Sequence, residues 1–253
     1  MQQNCFLLFV SILGGVLNSV AGGSGLIFFP TLLMTGVSPI SANATTTVVS
    51  LPGYIAGIYV YRQRLSDEGR ISLLLGSISL VGGMLGAMLL IVIPNTSFDY
   101  LVPWLLLLAT VLFTLSNSII TPQELDLREI GEKPGNRLLK FLLIQFLIAI
   151  YGGFYGGGMS FLILAKLKIL GIKDINQMNA LKILLMGCID SFAVITFIFA
   201  DLVAWPQAFL MMVGTVIGGY GGAYYSGYFN PSLVRICVSV VGFVMTGYFF
   251  LFK

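Results

Sequence analysis

The sequence contains no histidine, only three cysteines, and charged side chains at just 9% of its 253 positions. Without histidine, the commonest general base and the commonest metal ligand are both missing. Cys5, Cys188 and Cys237 stand far apart within apolar runs, so no zinc site, haem attachment or disulfide framework is readable. There is no nucleotide-binding motif and no paired nucleophile and base, which argues against an ATPase and against an enzyme of any kind; no cofactor or metal is expected. The formal charge of +3 is not gathered into a stripe that could follow a phosphate backbone, so nucleic acid is not an expected partner.

What the chain has instead is apolar surface. Soluble domains carry charge at about a quarter of their positions; a chain with 57% apolar residues and a mean hydropathy of +0.97 belongs in lipid. Its first residues, Met1 to Asn4, lack the positive start of a secretory signal, so the opening apolar run reads as a retained membrane segment. A hydrocarbon core takes about 20 apolar helical residues to cross, which places spans near 40–61, 72–93, 99–120, 176–200, 205–224 and 232–252. Two longer stretches remain, Cys5 to Thr35 and Leu138 to Leu170. Each is interrupted midway, by Gly22-Gly23-Ser24-Gly25 and by Gly152-Gly153 with Gly156-Gly157-Gly158.

Shifting the sequence by 135 or 136 residues superimposes these breaks. Gly22-Gly23 falls on Gly157-Gly158, Asn43-Ala44 on Asn179-Ala180, and Gly82-Gly83 with Gly86-Ala87 on Gly218-Gly219 with Gly222-Ala223. The expected fold is therefore an all-α polytopic membrane protein of two repeats, 1–120 and 138–253, joined by a solvated cytoplasmic linker, 121–137. Each repeat has a glycine-broken hairpin or helix plus three transmembrane helices. The basic residues choose between these. With hairpins, Arg62, Arg64, Arg70, Arg128, Lys133, Arg137, Lys140, Lys166, Lys168, Lys173 and Arg235 share the cytoplasmic side, 11 against the single Lys253. If each broken stretch crosses once, the split is only 8 to 4. The hairpin, and with it an inverted pair of repeats, is favoured.

Glycine-interrupted segments at matching places in inverted halves point to a transport site near the bilayer midplane. Half-helices restarting near Ser24 to Leu26 and near Gly158 to Ser160 would present free N–H groups and positive dipole ends there, an arrangement that attracts anions. The candidate binding residues are Gly22, Gly23, Ser24, Gly25, Asn43, Thr45, Thr46, Gly157, Gly158, Ser160, Asn179 and Lys182. All are close-approach backbone, neutral donors or a cation, as an oxyanion requires. The plainer alternative is that the glycines only allow helices to pack closely and that the threonines bond back to their own helix. Lys182, seven residues into its span, either reaches back to the interface or helps to hold the anion. Asp190 is the one carboxylate placed deep in a span and is a candidate for proton coupling, with a structural hydrogen-bonding role as the alternative.

The break Ala21 to Gly25, followed by Pro30, Gly36, Pro39, Ala42 and Asn43-Ala44-Thr45, with a degenerate second copy from Tyr151 through Ala180, resembles the TauE/SafE sulfite exporter family over about Phe6 to Leu251. The resemblance implies a multi-pass transporter of the cytoplasmic (inner) membrane, without an ATPase domain. Its cargo would be a small sulfur-containing anion: sulfite, thiosulfate, or an organosulfonate such as sulfoacetate. The duplication departs from strict copying, with Ala165 opposite Pro30 and Lys182 opposite the Thr45 to Thr47 run. The leading expectation is a secondary transporter that exports this anion by alternating access, with membrane lipid as its surroundings and self-association into a homo-oligomer left open. A passive anion channel built from the same donors is the alternative. The inverted arrangement makes a direct prediction: a cysteine introduced at Lys168 will react with a membrane-impermeant maleimide from the cytoplasmic side only, and labelling from outside would overturn it.

Overall fold

A computed structural model describes residues 2–20, 22–65, 69–115, 136–169, 172, 174–225 and 231–252. The expected linker up to residue 135 lies outside them, as do the side chains of Arg70, Arg128, Lys133, Arg137, Lys173, Arg235, Cys237 and Lys253. The described residues form α-helices and no strand, in the order α1 (Gln2–Val20), α2 (Gly25–Met34), α3 (Pro39–Leu65), α4 (Gly69–Val92), α5 (Asn95–Leu115), α6 (Asn136–Phe154), α7 (Met159–Ile169), α8 (Ile175–Phe199), α9 (Trp205–Tyr224) and α10 (Pro231–Phe252). This is the all-α architecture that the hydropathy pattern called for. The two long apolar stretches are broken where expected, with α2 restarting at Gly25 and α7 at Met159.

Four described helices are long and apolar enough to cross a membrane on composition alone: Gln3–Val20, Ser72–Val92, Asn95–Leu112 and Asn176–Phe199. Helix α3 is longer than any of these but lines its buried side with Asn43, Thr45, Thr46, Thr47 and Ser50, which lowers its hydropathy. Polarity is reversed relative to a soluble protein. Leu73, Val81, Leu89 and Val92 of α4 and Val240, Val244 and Leu251 of α10 face outward, whereas Gln145, Lys166, Lys182 and Asp190 are buried. Lipid supplies an apolar exterior at no cost, so the polar groups gather inside.

Packing follows the duplication. α1 packs on α9 as α6 packs on α4, α3 on α9 as α8 on α4, and α2 on α3 as α7 on α8; α3 with α8 and α5 with α10 are pairs between corresponding helices. With lipid as apolar as the side chains, close backbone approach holds such helices together. A Cβ at Gly218 would strike the Ile12 carbonyl and one at Gly222 would meet Val16; at the shifted positions, Gly82 faces Phe146 and Ala149, and Gly86 faces Ile150. Gly219 meets the Gly53 backbone and Gly83 the Ile189 backbone, and these two partners are themselves 136 residues apart.

Helix directions follow from the same contacts. Ser11 lies by Gly214 and Ser19 by Gly222, so α1 and α9 are parallel. Thr215 donates to the Val49 carbonyl at 2.7 Å and Tyr61 to the Ala223 carbonyl at 3.4 Å, so α3 and α9 are parallel too. With α1 and α3 pointing the same way, α2 between them must double back. Corresponding helices run antiparallel: Arg64 near the end of α3 pairs with Asp174 at the start of α8 at 2.8 Å, while Tyr54 lies by Gly187. In α5 and α10, Trp104 packs on Phe250 and Thr114 bonds Ser239 at 3.1 Å. Replacing Gly83 or Gly219 with alanine should lower stability by about 1–3 kcal/mol through forced separation of the crossing. Gly221→Ala, where a Cβ meets nothing within 4 Å, should be neutral or slightly stabilising. Thermal melting of the purified protein in detergent checks the contrast.

Candidate functional site

A helix that stops inside a membrane leaves its last carbonyls and the next helix's first N–H groups without partners. The turns that make the stops use left-handed backbone at Gly22 and Gly158, both with φ of 75°, a conformation that a side chain would strain. The carbonyl ends are capped across the halves. At the end of α1, the Lys182 ammonium on α8 donates to the Ser19 carbonyl at 3.3 Å and the Asn18 carbonyl at 3.5 Å, and is itself positioned by Asn179 Oδ1 at 3.2 Å. At the end of α6, Asn43 Nδ2 on α3 donates to the Phe154 carbonyl at 2.8 Å. Asn43 and Asn179 correspond under the repeat: Asn43 caps its break directly, whereas Asn179 accepts from the Lys182 that caps the other. A cation at the negative end of α1 adds favourable dipole energy.

The restarting ends face one another. In α2 the first backbone bonds are Leu26 N–H to Gly23 O at 3.0 Å and Phe28 N–H to Ser24 O at 2.8 Å; in α7, Met159 N–H reaches Gly156 O at 3.2 Å and Phe161 N–H reaches Gly158 O at 3.1 Å. A Cβ on Gly25 would lie 3.6 Å from Gly157 Cα, and one on Gly22 would overlap the Ser160 hydroxyl. Two positive helix ends therefore converge on one spot. Ser24 at the N-cap of α2 makes no capping bond with its side chain and instead lines the space in front of the helix, where it meets Tyr54.

That space is a cavity of about 20 Å³, lined by both breaks and by α1, α3 and α8. Four buried polar atoms on its walls have no hydrogen-bond partner: Asn18 Oδ1, Thr46 Oγ1, Tyr155 Oη and Ser160 Oγ. Buried polar atoms are rarely left so, and here they are concentrated around one volume. The Tyr54 hydroxyl interacts with the side chains of Asn18, Ser24 and Ser50 on the same wall. Asp190 completes the lining and is the only residue in it with a formally charged side chain.

Of the residues that the sequence nominated, Gly23, Ser24, Gly25, Thr46, Ser160 and Asp190 line this cavity. Gly22, Gly157 and Gly158 form the adjoining turns; the Gly157 carbonyl accepts from Tyr151 at 2.5 Å. Asn43, Thr45, Asn179 and Lys182 are brought close but are not in the wall. Asn43 and Lys182 cap the broken ends, Asn179 accepts from Lys182, and Thr45 accepts from the Ala204 N–H at 2.9 Å. Lys182 is fully buried, so its side chain does not reach the interface. Asn18, Ser50, Tyr54, Tyr155, Met159 and Met186 also line the cavity and were not nominated. Thr46 or Thr47, Ser50 and Tyr54 follow one another at three- or four-residue spacing, a polar stripe on one face of α3 that was there to be read. Among the described residues no cluster of potential metal ligands occurs.

An apolar exterior, helices broken at matching positions of the repeat and a polar cavity between their ends define a polytopic membrane protein with an internal polar cavity. The chain belongs to the sulfite exporter TauE/SafE family, whose model matches residues 7–249. It is 29% identical over 247 residues to a "probable membrane transporter protein" of Haemophilus influenzae, covering 95% of this chain and 91% of that one. It is likewise 29% identical over 249 residues to the "probable membrane transporter protein YfcA" of Escherichia coli K12, covering 95% and 87%. A "probable membrane transporter protein ORF9" of a Sinorhizobium species is 25% identical over 245 residues, covering 95% and 89%. No solved structure matches the chain. The family thus makes the protein a membrane transporter of the sulfite exporter type. The capping geometry predicts that Lys182→Met or Asn43→Leu will cost about 1–3 kcal/mol for the carbonyls left bare. Melting without any ligand should show this loss; unchanged melting would remove the capping role.

Proposed function

We propose that this chain is a secondary transporter that exports a small sulfur-containing oxyanion, such as sulfite, thiosulfate or sulfoacetate, across the cytoplasmic membrane by alternating access. The observation that carries the reading is the convergence of two half-helix N-termini and of unpartnered Ser160, Thr46 and Tyr155 hydroxyls on one cavity. Hydroxyls and N–H groups donate to an oxyanion with no rearrangement of charge. The sulfur in the cargo and the outward direction rest on the family.

Antiparallel corresponding helices support two inverted repeats, 1–120 and 138–253, as the moving parts. The Arg64–Asp174 pair puts the end of α3 beside the start of α8, and we assign this basic end to the cytoplasm. A cavity of about 20 Å³ has room for about one water, whereas sulfite and its relatives have four or more heavy atoms. Loading therefore requires the walls to part, as an occluded intermediate of alternating access would, and an open channel would not.

Thermal stabilisation of the purified protein by sulfite, thiosulfate, sulfoacetate and sulfate tests the site. A true ligand at one hundred times its Kd should add about 2.7 kcal/mol. Ser160→Ala removes a hydroxyl that bonds nothing in the protein, so it should leave the unliganded melting temperature unchanged while weakening this stabilisation. No stabilisation by any of the four, or equal stabilisation of wild type and variant, would overturn the assignment.

A further inference from the structure

The cavity holds a contradiction that the anion reading must resolve. Its walls offer two positive helix ends and several hydroxyls, and among them one carboxylate, Asp190, only 3% exposed. The cavity wall is shared with it by Asn18 from α1, by Ser50 and Tyr54 from α3, of which Tyr54 is near enough to feel its charge, and by Tyr155 and Ser160 from the second break. These neighbours are neutral, and the titratable ones among them are the two tyrosines. On its own helix the nearest charge is Lys182, eight residues and about 12 Å earlier, whose ammonium is engaged by the carbonyls that end α1. α4 meets this stretch of α8 through Gly83 against the Ile189 backbone and brings no charge there. Among the described residues, no ion pair is recorded for Asp190.

An anion entering a water-poor cavity beside a bare carboxylate meets like charge at short range, and such a pair does not stay doubly ionised. We propose that Asp190 takes up one proton for each anion that the cavity admits, so that the carrier moves anion and proton together. The proton comes from the water on the loading side, sits on the Asp190 carboxyl while the anion is bound, and returns to water on the other side when the anion leaves. In the bound state the carboxyl is then a neutral donor and joins Ser160, Thr46 and Tyr155 in holding the oxyanion. A sodium ion in the same role is disfavoured by the two helix N-termini, whose positive ends face the position it would occupy. This proposal rests on the anion-carrier reading and adds its coupling ion.

The test uses the full chain in lightly buffered proteoliposomes with a trapped pH dye, and thiosulfate and sulfoacetate as probes because their charges are fixed near neutral pH. Wild type should acidify the lumen as either anion enters. Asp190→Asn, which keeps the shape and the hydrogen bonds of a protonated carboxyl, should retain thermal stabilisation by the anion and lose the acidification down to protein-free background. Asp190→Glu should restore part of it. Anion entry without acidification in wild type, acidification that persists in Asp190→Asn, or entry that follows a sodium gradient in place of a proton gradient would each overturn the coupling while leaving the carrier intact. Neither stabilisation nor entry with any anion in wild type would instead remove the carrier reading, and the coupling with it.

Discussion

The structure depends on one constraint: α1 and α6 both stop inside the helix bundle, and the backbone groups this exposes are shut away from water. Leaving such a group bare in hydrocarbon costs several kcal/mol. The carbonyl ends are relieved by side chains from the opposite half, Lys182 for α1 and Asn43 for α6. Neither half can therefore complete its own broken segment, and the two halves fold as one unit. In the carrier we propose, the two converging helix N-termini face the cavity and give it a preference for negative charge.

Glycine has two separate duties here, which the sequence alone blended. At Gly22 and Gly158 it permits the left-handed turn that makes the break. At Gly83 and Gly219 it lets α4 meet α8 and α9 meet α3 backbone to backbone. The crossings hold α8 and α3 firmly against the rest, and these are the helices that present both the caps and much of the cavity wall. Tight helix packing and the cavity are in this sense one device: the packing fixes where Lys182, Asn43, Asp190 and Tyr54 stand relative to the breaks.

The helices, their breaks and the repeat were legible because each leaves a pattern that survives without neighbours: apolar length, glycine clusters, and identities at a fixed offset. The restart points at Gly25 and Met159 fall within the windows that the glycines indicated. The division of labour among polar residues was not legible. Asn43 and Lys182 cap helices, whereas Thr46 and Asp190 line a cavity, yet all four are polar residues near the start or middle of a long helix. Which way each points depends on helix rotation, about 100° per residue, so Thr45 and Thr46 part company completely: one accepts from the Ala204 N–H, the other faces the cavity. Asn18 stands just ahead of the first glycine break and Tyr155 within the second, and a polar or hydroxyl-bearing residue beside such a turn is itself a signal.

The departures from strict duplication carry the remaining argument. Where the first half has Thr46, the second has Lys182; where the first has Thr31, bonded to its own helix at the Ile27 carbonyl, the second has Lys166, buried and donating to Gln145, which in turn donates to Ser79 at 2.6 Å. The buried formal charges among the described residues, Lys166, Lys182 and Asp190, thus all belong to the second half. Asp190 lines the cavity, whereas Lys166 on α7 and Lys182 on α8 are not in its wall. In the carrier we propose, neither lysine grips the anion, and the contacts fall to neutral hydroxyl and N–H donors. A carrier has to release what it binds, and neutral donors at contact hold an anion without the grip of a fixed opposite charge.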